Sequence, residues 1–290
     1  MTQHVDTPYG CFDCFDGDLI TRQLIELGAH QRSDLDMLLS FVRPGDCVLD
    51  IGAHIGTYSV PLGKALGGNG HVFAFEPVAE HFELLERNVT RNDLLGIVQP
   101  VRAAVGLGAF PLRPQYVGGN TGATSLVPMG KNDAANVPVV SLDDWWKDGV
   151  ARPSSIEVIK IDVEGMEEEV LSSGADVIDE CRPVIFFETR ALSRTSLTAM
   201  DAFFAARGYQ FIVNLAGRDR PTESFKLGRL RTLARLERTK LLWNVVAVES
   251  SSERRPAVAS AFATEFLLSG LATRQRVAEW RRSHFGSRAS

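Results

Sequence analysis

Several things that would narrow the function at once are scarce in this chain. No stretch approaches the roughly 20 apolar residues of a membrane span, and the N-terminus, MTQHVDTPYGCFDCFDGD, has neither the basic nor the apolar region of a secretory signal. Both absences point to a cytoplasmic protein. Cations are not in excess: 31 Lys and Arg stand against 36 Asp and Glu, a net charge of -5. That balance argues against a surface built to grip phosphate backbones, and so against a nucleic-acid partner. Cysteine is sparse as well. Cys11 and Cys14 form a lone CxxC with no second pair and no His motif, short of the ligand set of a structural zinc site, so no metal is expected there. Cys47 and Cys181 lie in or beside apolar runs and read as small core residues, as suits a reducing compartment.

What is present is a globular composition, with 44% hydrophobic and 23% charged residues, enough for one large α/β domain with appendages. Apolar runs of strand length recur at 47–51, 71–76, 97–105, 156–162, 183–188, 209–213 and 241–248. Runs with both faces apolar suit a sheet covered on both sides. Helix-period stretches separate several of them, notably Val78 to Asn92 and Gly165 to Ser173. Strand alternating with helix predicts a mostly parallel, doubly wound sheet. Residues 1–40 read as a hairpin and helix (Ser33–Phe41) extension, 41–250 as the main domain, and 251–290 as a helical appendage. Within the main domain, 110–138 is rich in Gly, Pro, Asn and Thr and reads as an insertion on the substrate side.

DIGAHIG (Asp50–Gly56) follows a strand of buried type and opens a helix, the context that makes a glycine motif credible. In a dinucleotide fingerprint the second glycine lets the backbone approach a pyrophosphate, and here His54 holds that place. Asp50 would repel a pyrophosphate but suits a ligand carrying a sulfonium and an ammonium group. Gly52 supplies the sharp turn, and Gly56 lets the helix start pack closely on the strand. Glu76 ends the next strand, where a carboxylate can accept two hydrogen bonds from a ribose diol.

The blocks VLDIGAHIGTYS (48–59), VFAFEP (72–77), AAVG (103–106), GATSL (122–126), SLDDW (141–145), IKIDVEGMEEEVLSSG (159–174) and VIFFE (184–188) occur in this order. In order and spacing the chain resembles the FkbM family of S-adenosylmethionine-dependent methyltransferases over roughly residues 40 to 250. The resemblance implies a class I Rossmann-like methyltransferase fold, α/β, with a doubly wound, mostly parallel seven-stranded sheet whose last strand, Leu241–Val248, is antiparallel. It implies S-adenosylmethionine as cofactor, bound by Asp50, Gly52, Ala53, His54, Gly56 and Thr57 of the turn. Glu76, Pro77, Ala104 and Asp162 complete that set. His54 departs from the commonest pattern, in which Asn is frequent.

Asp162 falls at the carboxyl end of the fourth strand, beside the first, where open α/β sheets bind ligands. Glu188 ends the fifth. Asp50, Glu76, Asp162 and Glu188 are thus expected to surround a cationic cofactor with negative charge. Methyl transfer is an in-line displacement, accelerated chiefly by positioning, and a hydroxyl acceptor must also lose its proton. Asp162 is the first candidate base, followed by Glu164, Glu188 and His54. Asp162 serves equally well as an orienter of the cofactor's amino group, and Glu164 at a helix start has an electrostatic reason to be there without chemistry. Asp162 and Glu164 could contribute oxygen ligands to a metal, but the motif establishes no ion. Glu167–Glu169 reads as a solvated helix face, and Trp145 and Trp146 as core.

Methyltransferases of planar nitrogens usually carry a D/N-P-P-aromatic motif where this chain has Asp162-Val163-Glu164-Gly165. The expected reaction is therefore O-methylation of a small molecule: a sugar, glycolipid or polyketide-like metabolite, with anionic or carrier-linked acceptors included. The stretch 217–240, with eight Arg or Lys against three Asp or Glu, would steer an anionic acceptor or, more simply, form a solvated helix face. A homodimer is compatible with the sequence. The alternatives are a nicotinamide-dependent oxidoreductase of the same fold and a non-catalytic protein that binds S-adenosylmethionine or a nucleoside.

Overall fold

A computed structural model describes residues 1–108, 112–128, 137–148, 153–189, 192–214, 224–227 and 244–254. Of the appendage expected at 251–290, all but residues 251–254 lies outside the described residues, as does most of the basic stretch 217–240. None of the described helices is long and apolar enough to cross a membrane.

The chain opens with a hairpin, β1 (Thr2–Thr7) and β2 (Gly10–Phe15), followed by α1 (Leu19–Leu27) and α2 (Arg32–Leu39). The sequence pattern predicts only the second helix, at Ser33–Phe41. The first is marked by Asp18, whose side chain accepts from the Ile20 amide, and by Gly28, which ends it in the left-handed region at φ 74°. Next come β3 (Cys47–Ile51), α3 (Ser59–Ala65), β4 (His71–Phe75), α4 (Ala79–Arg91), β5 (Val98–Val101) and β6 (Ala104–Val105). The insertion holds an antiparallel pair, β7 (Leu112–Gln115) and β8 (Ser125–Pro128), with a short 3-10 turn at Thr121–Ala123. After β9 (Val139–Val140) follow α5 (Leu142–Asp148), β10 (Val158–Ile161), α6 (Glu167–Ser173), α7 (Ala175–Cys181), β11 (Val184–Glu188) and α8 (Arg194–Ala206). The last strands are β12 (Tyr209–Asn214), β13 (Ser224–Leu227) and β14 (Asn244–Glu249).

The main sheet runs β13-β12-β14-β11-β10-β3-β4-β5. From β5 to β11 every pairing is parallel, while β14 runs antiparallel between β11 and β12. These are the expected seven strands with the antiparallel last one in place. β13 adds an eighth on the outer edge, antiparallel to β12 and inside the stretch read from sequence as a helix face.

Alternate residues of the central strands feed two cores. Leu49, Ile51, Ile159, Ile161, Ile185 and Phe187 pack under α5 to α8. On the other face Val48, Val158, Val184 and Phe186 meet α1 to α4 and the hairpin, through Val5, Phe12 and Cys14. Trp146 is buried and Trp145 packs edge-on to Phe73 and Phe75, as core rather than as floor of a site. Asn88 of α4 joins the pieces. Its amide donates to the Ile55 carbonyl at 2.8 Å and its oxygen accepts from the Asp13 amide at 2.7 Å, tying the hairpin to the helix beneath the glycine turn.

Candidate active site

Chain order reverses between β3 and β10: α3 and β4 lead one way, β11 the other. The carboxyl ends of these strands open a cleft of about 810 Å³, its mouth included. Gly52, Ala53, His54, Thr57, Glu76 and Pro77 line it from the β3 and β4 ends, with Ala104 beyond and Asp162 and Glu164 opposite. Gly52 can be nothing else: its φ is 81°, and an added Cβ would fall 1.9 Å from the Asp162 carbonyl oxygen. The two turns therefore touch through backbone.

Asp50 does not face the cleft as expected. It is fully buried on the strand face below the turn, where Ser59 donates to its Oδ2 at 2.6 Å and Lys160 Nζ sits 3.0 Å from its Oδ1. Lys160 is its register partner on β10. The same ammonium donates to the Gly52 carbonyl at 2.8 Å and lies 5.1 Å from the Tyr58 ring centroid. Burial works against its charge, but Asp50 and Asp162 more than offset that, holding its pKa above that of an ordinary lysine. Asp50 is thus neutralised by a buried cation, and its negative charge is not offered to a cofactor. Gly56 likewise acts beneath the turn, against Leu85, rather than in the lining. Lys160 went unread in the sequence; its only signal was a cation inside an apolar strand run, VIKI, one pairing away from an acid.

Glu76 is buried and already holds the turn, accepting from the His54 amide at 2.9 Å and the Val78 amide at 2.8 Å. A carboxylate has about four lone-pair sites, so capacity remains for a diol. His54 itself adopts φ 51°. Burial, then the neighbouring His81, His30 and Lys160, hold its pKa well below the usual histidine value. A neutral imidazole is left, with Nε2 3.0 Å from the Thr121 hydroxyl. Thr121 in turn donates its amide to Asp18 at 2.7 Å, and the Leu19 amide donates to the Gly119 carbonyl at 3.3 Å. The insertion and the N-terminal extension are joined as a roof over the cleft.

Opposite, Asp162 and Glu164 line the cleft, while Glu188, expected at the same mouth, is buried outside the lining; the three each place one carboxylate oxygen within 4.8 Å of the others. Acidic clusters of this kind occur without an ion, and no metal is assigned to it. Glu164 occupies the left-handed region at φ 52°, and Gly165 follows at 109°. Glu167 holds this turn. It is 1% exposed and accepts from the amides of Val163 at 3.3 Å and Gly165 at 3.1 Å. The reading of Glu167–Glu169 as a solvated face is therefore wrong for its first member: the preceding turn rotates Glu167 inward, while Glu169 stays exposed. Burial pushes the Glu167 carboxyl up to about 7, against the opposing hydrogen bonds, with Asp162 adding to the rise.

A mostly parallel sheet with an antiparallel strand inserted near its edge, a glycine turn at the switch point and an acid on the next strand define the class I Rossmann-like methyltransferase fold. The model of the methyltransferase FkbM domain matches residues 50–211, and the chain belongs to that family, whose cofactor is S-adenosylmethionine. It is 28% identical over 154 residues to methyltransferase sdnD of Sordaria araneosa, covering 43% of this chain and 58% of that one. To the hexuronic acid methyltransferase AglP of Haloferax volcanii it is 29% identical over 152 residues, with 51% and 58% covered. The matches thus span 58% of each relative's length. A solved FkbM methyltransferase from Methylobacillus flagellatus aligns with TM-score 0.45 and 16% identity, over 70% of this chain and 43% of that one.

Proposed function

We propose that the chain is an O-methyltransferase that moves the methyl group of S-adenosylmethionine to a hydroxyl of a small, sugar-like molecule, with residues 41–250 as the catalytic unit and 1–40 as an extension over it. One observation carries the reading: Asp162 and Glu164 face the glycine turn and Glu76 across one cleft, with the buried Glu188 carboxylate close behind them at the end of β11. The adenosine half of the cofactor would lie along Gly52 to Thr57 with its ribose at Glu76. Its sulfonium would point at Asp162, whose carboxylate either orients the donor or takes the acceptor proton within hydrogen-bond reach. Glu164 and Glu188 stand beside it. His54, neutral and engaged with Thr121, serves the roof better than proton transfer.

The name of AglP gives a hexuronic acid as the compound class of that relative. For this chain a neutral hydroxyl compound is the better first candidate. Among the described residues lining the cleft, Lys160 is the only Lys or Arg, and Asp50 holds it.

The test uses S-adenosylmethionine labelled in the methyl group, offered with neutral hexose glycosides, uronic acids and amines. Label in an alkali-stable methyl ether of a neutral sugar is the expected product. Transfer to a carboxylate, as an alkali-labile ester, or to nitrogen would reject the hydroxyl reading. Stabilisation by NAD and not by S-adenosylhomocysteine in a thermal-shift assay would reject the cofactor as well; a ligand at 100 times its Kd adds roughly 2.7 kcal/mol.

A further inference from the structure

The exposed face of the N-terminal hairpin gathers a second set of ionisable side chains, outside residues 50–211 and away from the cleft. Strand residues two apart share a face, so His4 and Asp6 lie together on β1, and Cys11 and Asp13 on β2. The register sets His4 opposite Asp13 and Asp6 opposite Cys11, closing a square. Cys14, three residues from Cys11, falls on the other face and is fully buried. The CxxC is therefore not a pair. The hairpin instead brings Cys11 to a histidine and an aspartate that precede it.

The geometry within the square is that of a ligand set with its supporting shell. One ligand atom each from His4, Asp6 and Cys11 lies within 4.8 Å of the others. Around a tetrahedral ion with bonds of about 2.0–2.3 Å, ligand atoms are roughly 3.3–3.8 Å apart, so small side-chain rotations close the set. Asp13 Oδ1 lies 3.2 Å from His4 Nδ1, and Arg91 donates to Asp13 Oδ2 at 3.0 Å. A carboxylate on Nδ1 fixes the ring and leaves Nε2 as the metal-binding nitrogen, the arrangement that supports histidine ligands in zinc sites. His4 Nε2 is 2.9 Å from Asp6 Oδ1. A carboxylate oxygen only accepts, so this contact is made either by a proton on Nε2 or by a metal cation between the two atoms. Cys11 is held from behind: Asn92 accepts from its amide at 3.0 Å and donates to its carbonyl at 2.8 Å.

We propose that His4, Asp6 and Cys11 bind a divalent cation of the zinc type, with Asp13 as the residue that orients His4 and water in the fourth position. The donor set of one thiolate, one imidazole and one carboxylate selects zinc over magnesium or calcium, which take oxygen ligands. On binding, the Cys11 thiol gives its proton to solvent as the sulfur–metal bond forms, and no electron is transferred. The thiolate and the Asp6 carboxylate together cancel the charge of the ion. The ion cross-links β1 to β2 at the end of the chain, and through Asn92 and Arg91 to α4.

The full chain, reduced and freed of metal with a chelator, is titrated with zinc chloride by calorimetry and with cobalt chloride by absorption. One zinc per chain is expected, together with a near-ultraviolet thiolate-to-cobalt band. Cys11→Ser should abolish the band and weaken zinc at least about tenfold, and His4→Gln should weaken it to a similar degree. Asp13→Asn should cost less, and Cys181→Ser nothing. Affinity for S-adenosylhomocysteine reports folding in each variant, and if Cys11→Ser folds poorly, the exposed His4→Gln decides. No zinc binding up to about 0.1 mM overturns the proposal. So does binding that survives both variants, or that is lost instead in Asp162→Asn, which would place the ion in the cleft.

Discussion

The glycine turn after β3 and the acidic turn after β10 meet at the mouth of the sheet, Gly52 against the carbonyl of Asp162, and both bend through left-handed residues. Their supports differ. The glycine turn rests on Glu76, which accepts from the His54 amide, and on Lys160, held between the Gly52 carbonyl and Asp50. The acidic turn hangs on one buried carboxylate, Glu167, poised to titrate near neutrality. A turn pinned by an ion pair faces one pinned by a carboxylate that can change its charge.

The widest break in this comparison should come from Gly52→Ala, which strains a left-handed residue and drives a methyl group into the facing turn. A loss of roughly 5 kcal/mol is expected from the two costs together, read by urea unfolding. Lys160→Met comes next, since it strands Asp50 in the core. About 4 kcal/mol should be lost, and adding Asp50→Asn should recover much of it in a double-mutant cycle.

Glu167 tests the other side. Its folded pKa of about 7 lies above the ordinary glutamate value of 4.5, so between these values the folded protein binds more protons than the unfolded chain. Stability then falls as pH rises through this window, by up to about 3 kcal/mol in all. Glu167→Gln should flatten the dependence of Tm on pH from 5 to 7, and an unchanged slope would assign it to another group. Asp162→Asn should lower kcat about 100-fold with the folding midpoint kept, the signature of a group that acts on the reactants. Smallest is Glu76→Ala, expected to weaken S-adenosylhomocysteine by about tenfold in calorimetry through the ribose.

Much of this was legible along the chain. The central strands and α4 followed from apolar runs and helical period, and the placement of Glu76, Asp162, Glu164 and His54 round one cleft followed from motif spacing and the rule for strand ends. What was not legible depends on register between distant segments. Asp50 looked like a cofactor contact because nothing in DIGAHIG announces that residue 160 lies opposite it. Glu167 looked solvated because a run of three acids at a helix start normally is, and only the turn through Glu164 and Gly165 turns the first one inward. Cys11 was weighed with Cys14, its neighbour in sequence, whereas the hairpin makes its neighbours His4 and Asp6.

The buried Asp50–Lys160 pair has a further consequence for the end of a catalytic cycle. With Asp50 neutralised, the carboxylates lining the cleft are Glu76 at the proposed ribose end and Asp162 and Glu164 around the place where the proposed donor carries its sulfonium. Methyl transfer converts that cation into an uncharged thioether. The attraction that helped to seat the donor is then extinguished by the reaction itself, and the spent cofactor is held more weakly at the very end that has just reacted.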